Sequence, residues 1–173
     1  MELIAKSVRK LVRKHETRNP FALCRALGVK IMYMDLDLAL KAYYFTHSRC
    51  YRIVLNNSID EALQRVLVAH ELGHHLEHRR YAQVNSFQEF AVYETNIPME
   101  YEANLYAAEL LISDEDVTEL LAEEASFLQV ARALQVPPEL LDFKFRMLNA
   151  KGYRLTPLYL GQSDFLKKSF PDM

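Results

Sequence analysis

The chain has 173 residues, half of them hydrophobic and a quarter charged, with a formal net charge of −2. Such a chain suits one soluble domain with a sizeable core, and its near-balanced charge excludes bulk electrostatics as the means of holding nucleic acid or a membrane surface. No apolar run is of membrane-spanning length, the start lacks a signal-peptide core, and Cys24 and Cys50 have no metal-like spacing, so a cytoplasmic protein with reduced thiols is expected.

In chain order, Leu3 to His15 reads as a helix. Leu3, Ile4, Val8, Leu11 and Val12 form its apolar stripe. Lys6, Arg9, Lys10, Arg13 and Lys14 lie elsewhere on it and are read as a solvated face rather than a phosphate contact. Thr17-Arg18-Asn19-Pro20 breaks the chain. Asn19 can cap a short helix that has Pro20 in its first turn and runs to about Leu27, before Gly28. Val29 to Met34 is expected as a strand. Ala42 to Thr46 and Tyr51 to Leu55 follow as a hairpin across His47-Ser48-Arg49, with His47 exposed at the turn.

After Asn56-Asn57, Ser58 and Glu61 can close a capping box on a second long helix. Leu63, Val66, Leu67, His70 and His74 recur on it at helical spacing. The stretch His70-Glu71-Leu72-Gly73-His74 is an H-E-x-x-H sequence. Residues i and i+4 of a helix share a face, so the two imidazoles can aim at one tetrahedral metal. Glu71 is placed to take a proton from a water at the open position, the pattern of zinc-dependent peptidases. Two histidines satisfied by core hydrogen bonds would be the plainer account, but the complete constellation favours the metal. His74 and His78 with Glu77 also fit the inverted H-x-x-E-H arrangement. A solvated helix end explains those last residues without a metal. The metzincin extension is absent, because Arg80 stands where its third His would be.

Val84 to Tyr93 shows no clean period and is expected to connect elements and pack its aromatics on the core, with a lid or cleft wall as the alternative. Asn96-Ile97-Pro98 starts a helix that runs to about Leu111 and packs through Ala103, Ala107, Leu110 and Leu111. Three carboxylates on it, Glu100, Glu102 and Glu109, compete to be a third ligand. Glu100 and Glu102 lie about 160° apart around the helix, and Glu109 lies about 10 Å along the axis from Glu102. Geometry leaves the choice open.

Ser113-Asp114 can cap a further helix to about Glu124. Phe127 to Leu134 and Glu139 to Leu148 read as two short helices separated by Val136-Pro137-Pro138. Their spacing suggests a helix-turn-helix, but Arg132, Lys144 and Arg146 against Glu139 and Asp142 supply too little positive charge for DNA. Packing helices are expected instead. Residues 1–150 are therefore taken as the domain and 151–173 as an irregular tail. The tail's Tyr153, Tyr159, Phe165 and Phe170 can dock on the body or on a partner.

Asn19-Pro20-Phe21, the hairpin, His70-Glu71-Leu72-Gly73-His74-His75 and the run Glu102-Ala103-Asn104-Leu105-Tyr106-Ala107-Ala108-Glu109-Leu110-Leu111 together resemble the ImmA/IrrE family of metallo-endopeptidases. The motifs span roughly residues 17 to 150. Ile112-Ser113 replaces the family's Met-Pro after the double leucine. The resemblance implies a small zincin-like α+β domain, mostly helical, with a short three-stranded sheet packed on the HExxH helix. It implies Zn2+ held by His70, His74 and Glu102, with Glu71 as the catalytic base. It also implies a regulatory endopeptidase of a bacterial mobile element, whose protein partner and substrate is a helix-turn-helix transcription repressor. Tyr106 is a candidate for oxyanion stabilisation or a core aromatic, and His75 a substrate contact or a supporting residue. The rival from another class is a zinc-stabilised regulator or toxin that binds a partner without cutting it; an intact Glu71 argues against that. A DNA-binding regulator is disfavoured by the charge.

Overall fold

The computed structural model describes residues 1–36, 40–48, 50–79 and 97–156. The Val84 to Tyr93 segment and the aromatics Tyr159, Phe165 and Phe170 lie outside the described residues.

Helix α1 (Glu2–His15) buries Ile4, Ala5 and Val8. Its basic residues Lys6, Arg9, Lys10, Arg13 and Lys14 are exposed, as the amphipathic pattern requires. Helix α2 (Pro20–Ala26) starts at Asn19, whose side chain accepts from the backbone N–H groups of Phe21 and Ala22. Gly28, at φ +71°, then turns the chain into strand β1 (Val29–Met34). Strands β2 (Ala42–His47) and β3 (Cys50–Asn56) form the hairpin, and the sheet order is β1-β3-β2. The central β3 pairs parallel with β1, Val29 opposite Tyr51, and antiparallel with β2, Ala42 opposite Leu55. Ile53, Val54 and Leu55 are fully buried, which fits the middle position.

Helix α3 (Glu61–Glu77) follows β3 within a few residues. Its N-cap is Asp60, accepting from Leu63 N–H, and not the expected Ser58. Ser58 is held by Asn56 instead. The Asn56 side-chain oxygen accepts from both Ser58 N and Oγ, while its amide donates to the carbonyls of Leu36 and Leu40. Among the described residues the remaining helices are α4 (Ile97–Leu111), α5 (Asp114–Ala122), α6 (Phe127–Ala133) and α7 (Pro138–Ala150). Helix α3 packs on β2, α2 and α4, and α4 packs in turn on α1 and α7. The result is a small α+β domain, mainly helical, with a three-stranded mixed sheet. No described helix is long and apolar enough to cross a membrane.

Two polar devices fix the far end of α4. Arg18 donates to the carbonyls of Glu109 and Leu110, which lack partners within the helix. The buried Lys144 reaches Glu109 at 2.6 Å and Asp114 at 2.5 Å, and Lys151 bridges the same two carboxylates. Glu109 is therefore a structural anion joining α4 to α7. Lys144→Met is expected to cost about 3 kcal/mol in denaturant unfolding, since it strands part of a buried charge that Lys151 only partly compensates. An unchanged unfolding midpoint would show that the cluster is neutral for stability. With Lys144 committed inward, one of the three cations between Ser126 and Ala150 is unavailable to a phosphate.

Candidate metal centre

Helix α3 buries every residue from Val66 to His75, including the charged and polar ones. That depth follows from its place between sheet and helices, and it brings His70 and His74 to within hydrogen-bond distance, Nε2 to Nε2 3.2 Å. The third donor is Glu100, from the first turn of α4. Its two carboxylate oxygens lie 3.4 Å from His70 Nε2 and from His74 Nε2 respectively. Ligand atoms of His70, His74 and Glu100 all fall within 4.8 Å of one another, and all three residues are buried.

These spacings fit a shared metal ion. Nitrogen and oxygen donors at about 2.0–2.1 Å from a tetrahedral zinc stand about 3.3–3.4 Å from one another. The chemistry of the donors agrees. His70 Nδ1 lies 2.8 Å from the Asn104 side-chain oxygen, which can only accept, so Nδ1 carries the proton and a neutral ring turns a bare Nε2 inward. Two inward lone pairs beside a buried carboxylate call for a cation between them. Burial pushes Glu100 up, but the neighbouring His70 and His74 outweigh it and hold the carboxyl well below its usual range. Burial, helped by the neighbouring His70 and His78, outweighs Glu100 and pushes His74 down to about 4. For His70 burial is outweighed by Glu100, and the imidazole is raised.

Glu102, assigned as third ligand by resemblance, is not brought to this cluster. Its side chain is half exposed and accepts from His78 Nε2 at 2.9 Å. The reason is helical phase. Ala103 and Asn104 meet α3 at Gly73 and His70; at 100° per residue Glu100 lies about 60° and 40° from them, whereas Glu102 lies about 100° and 160° away. The packing face, already visible in the sequence, carried the signal for Glu100 and for the outer partner Asn104. The inverted motif is not assembled either, since Glu77 is exposed and accepts from Ser7 Oγ at 2.7 Å.

Glu71 is 7 % exposed, and its charge acts on the adjacent His70. His75 is fully buried: Nδ1 meets Tyr44 Oη at 2.9 Å and Nε2 accepts from Arg79 at 2.6 Å, while Arg79 also covers the Tyr51 ring. It ties the hairpin to the helix one residue beyond His74. Tyr106 is wholly buried against Gly73, so its ring belongs to the α3–α4 contact. His47 is exposed, as expected.

Gly73 sets the distance between α3 and α4. A Cβ there would stand 3.0 Å from Tyr106 Cβ and 3.2 Å from the Ala103 Cα. Gly73→Ala is expected to change stability little, because about 1 kcal/mol of helix propensity offsets an overpacking cost of about 1–3 kcal/mol. Pushing α4 outward carries Glu100 with it, so metal affinity should drop at least about tenfold, read by chelator competition. Wild-type affinity would mean that α4 yields without moving Glu100.

Residues 24–146 match the family described as the IrrE N-terminal-like domain. The chain is 30% identical over 142 residues to an uncharacterized immunity region protein of Bacillus phage phi105, covering 82% of this chain and 89% of that one. It is 27% identical over 158 residues to the metallopeptidase ImmA of Bacillus subtilis strain 168, covering 88% and 89%.

Proposed function

The chain belongs to the family of the IrrE N-terminal-like domain and is a metallopeptidase, and from that premise we propose that it is a zinc-dependent endopeptidase cleaving a helix-turn-helix repressor of a bacterial mobile element. The observation that carries the reading is the buried His70, His74 and Glu100 cluster with Glu71 beside it on the same helix. His70, His74 and Glu100 are the proposed ligands, replacing the assignment of Glu102.

Bound zinc supplies Lewis acidity, polarising a scissile carbonyl and acidifying water. The chain's own part is proton management. Glu71 accepts the proton of the attacking water and returns it to the leaving amine, and its largely water-free setting keeps that proton from bulk exchange. Asn104 keeps the His70 ring in the tautomer that presents Nε2. A site buried to this degree cannot hydrolyse folded proteins at large, so it needs an extended segment of a chosen protein. Among the described residues β2 is an outer strand of the sheet and packs on α3, and pairing with it would present such a segment beside the cluster.

The choice of a repressor draws on the phage relative, which is described as an immunity region protein. Co-expression with the proposed helix-turn-helix repressor, sought first among the genes neighbouring this one, is expected to give one discrete repressor fragment, and none with an unrelated cytosolic protein. A repressor bound but left intact would replace this reading with that of a non-proteolytic regulator. Metal analysis of the protein purified without chelator is expected to give about one zinc per chain.

A further inference from the structure

His74 Nε2 faces the cluster and must be bare to bind a metal, so its Nδ1 carries the ring proton. That nitrogen lies 3.1 Å from His78 Nδ1, one helical turn on. His78 Nδ1 is then the acceptor, which places the His78 proton on Nε2, 2.9 Å from Glu102 Oε2. One set of tautomers satisfies the whole line from the buried cluster to the surface. The two ligand histidines are thus held by unlike partners, a neutral amide for His70 and a histidine backed by a carboxylate for His74.

We propose that His78 and Glu102 form a positioning dyad that fixes the tautomer and orientation of His74 from outside the metal centre. This rests on the metal reading above and adds two residues to it. It also gives a task to the pair that the inverted motif and the resemblance had each singled out as ligands. His78 is nearly buried, at 9 % side-chain exposure, and touches the ligand directly. Glu102 is at 51 %, so solvent screens its charge, and it acts only through the His78 ring. His78 should therefore matter more than Glu102, and Glu102 should matter only while His78 is present.

The test titrates the metal-stripped full chain with zinc against a chromophoric chelator and compares thermal unfolding of the metal-free forms. His78→Phe is expected to weaken zinc binding about 10–100-fold, the usual effect of losing an outer partner. His78→Gln, whose amide oxygen can accept the His74 N–H, should recover part of that loss. Glu102→Gln should weaken binding less, and should add nothing in the His78→Phe background. Metal-free unfolding should stay near wild type throughout; if His78→Phe does not fold, the same non-additivity is read in the His78→Gln background. Wild-type affinity in the His78 variants overturns the dyad and leaves the metallopeptidase reading standing. Equal losses from Glu102→Gln with and without His78 overturn it too, because Glu102 would then act independently. Failure of the wild type to bind zinc overturns the zinc reading and the dyad with it.

Discussion

Glu71→Gln is expected to lower repressor cleavage by about 10²–10⁴-fold while leaving zinc content and unfolding at wild-type values. The amide matches the carboxylate in size and keeps its hydrogen-bonding reach, but it cannot take a proton from water. Glu71 is almost fully buried in the middle of α3, next to His70. Loss of activity with retained stability separates a base from a structural residue. Wild-type turnover in the variant would show that the proton goes elsewhere, and the closeness of Glu71 to His70 would then be only electrostatic.

Glu100→Gln is expected to abolish tight zinc binding, a loss beyond the about 10–100-fold of an outer partner. On the proposed ligand set the carboxylate supplies both a ligand atom and the negative charge that balances the ion, and the two imidazoles alone offer neither charge nor a third donor. Thermal unfolding reads the same event. Zinc at a hundred times its dissociation constant should stabilise the wild type by about 2.7 kcal/mol, and the same zinc should leave Glu100→Gln unshifted. Zinc lost from Glu102→Gln but kept by Glu100→Gln would restore the ligand set implied by resemblance.

Local chemistry made most of this fold legible. Asn19-Pro20, the β-branched and aromatic runs and the turn at Ser48 each act within a few residues, and α2 and the three strands form within a residue or two of where they were expected. The cap of α3 was misread because Ser58 and Asp60 are both competent, and the choice depends on Asn56 turning its side chain back onto the chain. The His pair was legible because one helix carries both ligands. The third member of the cluster was not, because it depends on how α4 is rotated against α3. Ala103 and Ala107 showed that rotation, and weighing the carboxylates against that face selects Glu100. The burial of His75 depends on Tyr44, 31 residues away, and no spacing rule reaches that far.

The contact at Gly73 has a further consequence for which sequences can carry this site. A new side chain at 73 meets Tyr106 at its Cβ and Cγ and meets Ala103 at its Cα. An α carbon and a β carbon cannot be trimmed away by changing a neighbour, short of glycine at 106, and even that leaves Ala103 in place. Trimming Ala103 to glycine removes an atom that is not the obstacle. Epistasis at this crossing is therefore one-sided: on the face of α4 that meets α3, substitutions can spoil the fit to Gly73, but none can rescue a residue larger than glycine there. A search for second-site suppressors of Gly73→Ala should return changes that shift the whole of α4, at its anchors Arg18 and Lys144 or at its ends, and none on the face of α4 that meets α3.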